Sequence, residues 1–242
     1  SQKPYRLYNQ DNYKYPLYSK NSTYGTIPII VSKNPNKGAM ASVYWVNTSE
    51  TYVEIHRKKN FTKTFWLSER GNLEFYLIVN NGANTHFRSI SNIVGRAPLP
   101  QIFSLGYHHS KYSYGSQQEV LNLNHKLNHH EILCDSITLD IDHTDQNKWF
   151  TWDRKKFHEP GEMQEVLEMD NRKIYTINNP QIKTDPRYNI YRQVVEGKCF
   201  VKNPDGTPYI GKSLPGDSVY VDFLSQKAQD IWTQAYQYRS YD

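Results

Sequence analysis

The chain is 242 residues long, 37% hydrophobic and 22% charged, with 29 basic against 24 acidic residues and a net charge of +5. That length suits one large domain or two smaller ones and is enough to bury a substantial core. Its mean hydropathy is −0.80, no apolar run approaches the roughly 20 residues of a membrane span, and neither charge forms a long block, so neither a membrane-spanning nor a nucleic-acid-binding class is expected.

From the amino terminus to about residue 80 the pattern is one of strands. Ile27-Pro28-Ile29-Ile30-Val31 is a short apolar run, and Ser42-Val43-Tyr44-Trp45-Val46 is a second, turned by Asn47. Thr51-Tyr52-Val53-Glu54-Ile55 alternates, and residues 73–79 close the set before Asn80-Asn81-Gly82. With Asn36, Gly38 and Gly71 among the turns, this predicts an antiparallel β-sandwich. Residues 84–94 predict a short helix ended by Gly95, and Pro98-Leu99-Pro100 marks a boundary.

Beyond the boundary the rhythm changes. A strand is expected over 102–107, a helix over 116–130 opened by a capping box of Ser116 with Glu119, and a strand over 136–141. A helix over 163–169, a strand over 172–177, a short strand over 219–223 and a helix from 225 to about 239 follow. Such β/α alternation predicts a parallel sheet or barrel. The stretch 178–217, with several Pro and Gly, predicts a loop excursion over one end.

In such folds chemistry gathers at the carboxyl ends of the strands. Three expected strand ends carry polar residues: Tyr107-His108-His109, Asp140-Ile141-Asp142 and Asn178-Asn179. Asp140 and Asp142 are spaced i, i+2, which on a strand places both on one face. Trp149-Phe150-Thr151-Trp152-Asp153 lies just beyond. Carboxylates beside aromatics suit a sugar, whose adjacent hydroxyls donate to a carboxylate. The same pair also suits a D-x-D metal clamp for a nucleotide-sugar, or a strand end that is merely solvated. Tyrosine accounts for 20 residues, which fits carbohydrate stacking and ordinary β-structure alike.

The remaining signals are weaker. Of His108 and His109, one would face the pocket and one away from it. His125 and His129, with His130 beside them, have a spacing that can bind zinc. Lys126 follows where a metalloprotease would need Glu, so a solvated helix face is expected. Arg57-Lys58-Lys59 reads as a solvated turn. Cys134 and Cys199 could pair or be two separate buried thiols. Asn21-Ser22-Thr23, Asn47-Thr48-Ser49 and Asn60-Phe61-Thr62 are N-x-S/T sequons, which permit secretory exposure. Ser1-Gln2-Lys3-Pro4 does not read as a signal peptide.

Several segments, in order along essentially the whole chain, carry a resemblance. Near the amino end they are Pro4-Tyr5-Arg6-Leu7-Tyr8-Asn9 with Asp11, then Tyr44-Trp45-Val46-Asn47 with Glu50-Thr51. Phe103-Ser104-Leu105-Gly106-Tyr107-His108 and the stretch 139–153 follow, then Pro180-Gln181-Ile182-Lys183 and Asp185-Pro186. Phe200-Val201-Lys202-Asn203, Pro215-Gly216 and Val221-Asp222-Phe223 complete the set. Together they resemble glycoside hydrolase family 31. The resemblance implies a β-sandwich followed by a (β/α)₈ barrel. Residues 1–97 would be the carboxyl-terminal part of the sandwich, with a substrate-facing loop. Residues 98–242 would be the first part of the catalytic barrel, incomplete in this chain and including the excursion at 178–217.

The activity so implied is that of a retaining α-glucosidase. An Asp nucleophile and an Asp acid/base stand roughly 5 Å apart and a covalent glycosyl-enzyme forms, with no metal or cofactor. The L-D-I-[ED]-H-x-D and F-T-W-D pieces point to the branch that trims α-linked glucose from N-glycans in the endoplasmic reticulum lumen. Implied partners are a glucosylated oligosaccharide, the remaining part of the same enzyme and a lectin-like regulatory β subunit.

Residue by residue, Asp140 matches the aspartate holding the non-reducing glucose, with Ile141 its neighbour on the pocket wall and Ile182 an apolar contact to the same sugar. Asp11 matches an acidic residue on the loop sent over the pocket, and Tyr13 stands where an aromatic is usual. Tyr112 takes a position usually held by tryptophan near the +1 sugar. Asp142, His108 and Leu214 are further pocket candidates.

The chain also departs from the family pattern. Leu214 replaces the tryptophan of W-P-G, a change of about 1–3 kcal/mol in glucose binding if unrepaired, and Asn179 and Gln181 replace the Asp and His of D-P-H-I-K. No W-x-D-M-N-E nucleophile motif occurs, so the catalytic carboxylates are expected beyond Asp242 and these 242 residues alone are expected to be inactive. A catalytically dead carbohydrate-binding or structural relative is the alternative, and a D-x-D glycosyltransferase a weaker one.

Overall fold

The structure, a computed structural model, describes residues 4–10, 15–19 and 21–237. The chain forms two units, 1–98 and 99–242.

In the first unit the strands β1 (Tyr5–Leu7), β2 (Ile29–Lys33), β3 (Ala39–Trp45), β4 (Thr51–Arg57), β5 (Thr62–Ser68) and β6 (Phe75–Asn81) precede helix α1 (Ala83–Val94). They pair antiparallel in two three-stranded sheets, β1-β4-β5 and β2-β3-β6. Met40, Trp45, Val53 and Ile78 are buried. Trp45 stacks on Phe75 at 5.1 Å and meets Trp66 of the other sheet edge-on at 6.2 Å. β5 escaped the sequence reading because its less exposed face is Thr64, Trp66 and Ser68; two polar residues of three hide the alternation. α1 ends as expected: Gly95 takes φ 90° and its N–H reaches the Ser91 carbonyl at 2.9 Å, a conformation that favours glycine.

The second unit is built on three parallel strands, β7 (His108–Lys111), β8 (Ser136–Leu139) and β9 (Lys173–Thr176), in the order β7-β8-β9. They do not close into a barrel. Helices α2 (Gln117–His129) and α3 (Pro160–Met169) make the crossovers. Val120, Leu127, Ile137, Leu139, Phe157, Met163 and Leu167 form the core beneath them. Ser116 caps α2, its Oγ accepting from the Glu119 N–H at 3.3 Å. The Glu119 carboxylate takes the Gly115 N–H at 2.7 Å and the Lys111 ammonium, so the box is closed one residue early. Ser116→Ala is expected to cost about 1 kcal/mol, read as a lowered midpoint in urea unfolding with unchanged slope.

Two expectations fail here. Residues 102–107 are not a strand: Ile102–Leu105 is a 3₁₀ turn, with the Ser104 hydroxyl donating back to the Gln101 carbonyl at 2.6 Å. The strand begins at His108, because the Asp135 carboxylate sits where a side chain on residue 106 would be and takes the Tyr107 N–H at 3.2 Å. His108 and His109 therefore open β7 rather than close it. His108, offered as a pocket residue, lies at the amino end of its strand, where it bonds to the Ser136 hydroxyl and the Ser104 carbonyl. His108→Ala should therefore lower stability by about 1–3 kcal/mol and leave KM for any glycoside unchanged.

The second failure concerns 219–223. Val219 and Tyr220 end β12 (Gly216–Tyr220), which pairs antiparallel with β10 (Gln181–Lys183) and β11 (Ile210–Ser213) in the order β10-β12-β11. They belong to the excursion, not to the parallel sheet. With α4 (Asn189–Glu196) and α5 (Gln226–Ala235), this region has its own core of Ile182, Val194, Cys199, Val219 and Ala228. Cys134 and Cys199 are both buried and free, in separate cores.

Candidate functional site

The register sets which residues share the carboxyl end of the parallel sheet. Lys111 pairs with Leu139 and Leu139 with Thr176, so Tyr112, Asp140 and the Ile177-Asn178 step leave the sheet at one level. Tyr112 is 72% exposed there. Asp140 is half-buried, and its Oδ1 accepts from the Ile141 N–H at 2.7 Å.

The strand stops at Leu139, and Ile141–His143 wind into a 3₁₀ turn capped by Asp140. Asp140 and Asp142 therefore do not share a strand face as their spacing suggested. Asp142 Oδ2 is buried and accepts no hydrogen bond among the described residues, a costly state for a carboxylate oxygen. His143 is buried behind them, its Nδ1–H donating to the Asp140 carbonyl at 2.6 Å. Burial pushes the imidazole pKa down against that carbonyl and the two carboxylates, so it holds the turn in its neutral form.

Ile141 and Ile182 come together, but as core: they are 1% and 0% exposed in one apolar cluster. They stand behind Asp140 and present no surface as direct sugar contacts. Leu214 is 46% exposed in the turn between β11 and β12. Asp11 and Tyr13 lie outside the described residues.

The aromatics beyond the acidic pair are not a stacking platform. Trp149, Phe150 and Trp152 are 0%, 1% and 7% exposed. The Trp149 indole N–H donates to the Gln181 carbonyl at 2.7 Å, and the Tyr188 hydroxyl donates to the Trp149 carbonyl at 2.7 Å. Phe150 holds φ 60° with its ring against Trp232 and Tyr236 at 5.2 and 4.9 Å. Its N–H reaches Asn178 Oδ1 at 3.3 Å. A bulky residue keeps a left-handed backbone only where its surroundings over-determine it. Apolar content dominates here because the segment joins the excursion to the sheet and must be dry.

One element went unseen in the sequence. The buried Lys148 ammonium bridges Asp145 at 3.0 Å and Asp185 at 3.1 Å, tying the loop after β8 to the excursion. Asp145 and Lys148 are spaced i, i+3, a legible pair, but Asp185 lies too far along the chain for spacing to find it. The Arg187 backbone N–H, then the Lys148 ammonium, hold the Asp185 carboxyl down from the ordinary 3.8 to about 2. Because the folded pKa is depressed, the stabilisation is complete above about pH 4 and is lost as pH falls toward 2. Asp185→Asn should flatten the fall of Tm across that window relative to the parent and leave the neutral-to-alkaline side parallel.

Two concavities flank this region. One, of about 1010 Å³, is walled by Arg154, Lys155, Arg187 and Arg192 with Asp153 and Trp152, and another, of about 550 Å³, by Glu159, Gln164, Tyr175 and Thr176 among others. Neither is lined by Asp140, Asp142 or Tyr112. No group of three or more His, Cys, Asp or Glu among the described residues is placed to hold a metal ion.

Residues 97–242 match the model of the glycosyl hydrolases family 31 TIM-barrel domain, and residues 1–54 that of the glycosyl hydrolase 31 N-terminal galactose mutarotase-like domain. The chain is 34% identical over 256 residues to neutral alpha-glucosidase C of Mus musculus, covering 98% of this chain and 28% of that protein. It is 34% identical over 246 residues to glucosidase 2 subunit alpha of Schizosaccharomyces pombe, covering 99% and 26%. A crystal structure of a glucosidase II alpha subunit bound to DNJ superposes with a TM-score of 0.92 at 31% identity, over 99% of this chain and 27% of that one. A glucosidase II heterodimer, of a catalytic subunit with the binding domain of its regulatory subunit, gives 0.90 at 31% identity. The chain thus spans about a quarter of the length of these relatives.

Proposed function

Because the chain belongs to glycoside hydrolase family 31, we propose that it is the part of a retaining α-glucosidase that holds the terminal glucose of a glucosylated N-glycan. The observation that carries this reading is the common level at which Tyr112, Asp140 and Ile177 leave three adjacent parallel strands. That end is where barrels of this kind place their chemistry. Asp140 accepts hydrogen bonds from adjacent sugar hydroxyls, Tyr112 offers a ring to the next sugar, and Ile141 and Ile182 back the turn. We take the amino-terminal unit as a portion of a β-sandwich ending near residue 97.

The two carboxylates that break the bond come from another part of the same enzyme, since the W-x-D-M-N-E motif is not among these residues. Kinship with glucosidase II alpha subunits supports a place in the endoplasmic reticulum lumen and a lectin-like regulatory β subunit as partner.

The test is hydrolysis of an aryl α-glucoside by the full-length protein, with the first-formed anomer read by proton NMR. α-Glucose released first, under inhibition by a nojirimycin, is the expected result; β-glucose first, or no hydrolysis, would sink it. The isolated 242-residue chain should show no turnover. A non-catalytic sugar-binding relative is the second reading, favoured by exposed Leu214 and by Asn179 and Gln181 in place of the usual pattern; binding without hydrolysis by the full-length protein would select it. The D-x-D glycosyltransferase reading loses its motive, because Asp140 and Asp142 do not form one strand face.

A further inference from the structure

We propose that Asn60 is an acceptor for an N-linked glycan and that Asn47, which carries the same tripeptide signal, is not. The inference rests on the luminal reading above and concerns a surface remote in function from the sugar site.

Asn60-Phe61-Thr62 occupies the tip of the β4–β5 hairpin. Arg57 pairs with Thr62, and the Lys58 N–H closes the turn on the Phe61 carbonyl at 2.8 Å. Residues 56–63 are all exposed, and the Asn60 carboxamide has no hydrogen-bond partner among the described residues. Its nitrogen can carry a large polar group without breaking a contact. The Thr62 hydroxyl, which the acceptor signal requires two residues on, is on the first residue of β5, itself exposed at the strand's open end. Arg57, Lys58 and Lys59 keep the tip solvated.

Asn47 differs in every respect that matters. Its Nδ2 donates to the Ser68 hydroxyl at 3.1 Å and to the Arg70 carbonyl at 2.8 Å, and its Oδ1 accepts from the Ser49 N–H at 2.8 Å. The carboxamide lies so near Gly71 that a side chain there would meet it at 2.5 Å. A glycan would remove one of those donors and place a sugar ring where the chain from 68 to 71 packs. Asn21, the third sequon residue, is exposed in an irregular segment.

The co-reactant is a lipid-pyrophosphate-linked oligosaccharide. The Asn60 nitrogen forms a bond to the anomeric carbon, the bond from that carbon to the pyrophosphate oxygen breaks, and the lipid pyrophosphate leaves with the electron pair. One amide proton passes to the base of the transferring enzyme.

The experiment uses the full-length protein from its own cells. Protease protection in sealed microsomes reports the compartment, and peptide mapping after enzymatic deglycosylation reads each glycosylated Asn as Asp. Aspartate at 60 and unchanged Asn at 47 are expected, with one glycan lost from the gel mobility of both Asn60→Gln and Thr62→Ala and none from Asn47→Gln. Unmodified Asn60 in the protected pool, or a glycan on Asn47, overturns the proposal. If the protein is unprotected, the luminal reading fails on its own; the same protein given a cleavable signal peptide then decides Asn60 by the same map.

Discussion

Asp140→Asn in the full-length protein is expected to lower kcat/KM for an aryl α-glucoside by about 10²–10⁴-fold, which corresponds to losing roughly two hydrogen bonds to a charged acceptor at about 1.5–3 kcal/mol each. The fold should survive. The Asp140 side chain caps the following turn through Oδ1 and the Ile141 N–H at 2.7 Å, and an asparagine oxygen accepts that bond equally well. Asp140→Ala removes the cap as well, so it should add about 1 kcal/mol of destabilisation to the same kinetic defect. Tm together with kcat/KM separates the two contributions. If Asp140→Asn turned over substrate like the parent, Asp140 would not hold the sugar. If both variants lost Tm equally, its role would be chiefly structural.

That prediction draws on what the chain shows locally. An apolar strand running into an aspartate is legible, as are α1 ended by Gly95 and α2 opened by Ser116, because each is fixed by neighbours within one turn. What local pattern misses are partners brought in by the fold. Nothing in Ile102 to Leu105 says that Asp135 will occupy the space beside Gly106 and delay the strand to His108. That shift of a few residues moved two histidines from one end of the sheet to the other. Val219 looks like the next barrel strand by composition, but its partner is Ile182 in an antiparallel ladder, and apolar content is the same in either setting. The excursion read as loop because its proline and glycine content masked three short strands. The contact of Lys148 with Asp185 joins two segments that no spacing rule connects. Family kinship supplied Asp140 and Tyr112 at a common level, yet it offered Ile141 and Ile182 as sugar contacts where the fold uses them as core.

The aromatic run after the acidic pair provides the other large effect, because its two readings lead to opposite measurements. As a sugar platform, Trp149 would be dispensable for folding, and Trp149→Ala would raise KM at unchanged Tm. Its ring is 0% exposed, packed with Phe150, Ile182 and Tyr188, and its indole N–H is satisfied by the Gln181 carbonyl. Truncation to alanine removes an aromatic ring from a packed interior and should cost about 3–5 kcal/mol, a large fraction of the 5–15 kcal/mol that typically holds a domain together. Trp149→Phe keeps most of the ring volume and forgoes the indole hydrogen bond, for about 1 kcal/mol. The expected series is therefore parent, Trp149→Phe, Trp149→Ala in falling Tm, with faster proteolytic cleavage of the 178–217 excursion in the alanine variant, since Trp149 bonds directly to β10. Activity per folded molecule in Trp149→Phe should stay near that of the parent, because the residue meets no sugar. A raised KM in Trp149→Phe at parental Tm would return the aromatics to the binding surface and assign the acidic pair's neighbours to recognition instead of to the core.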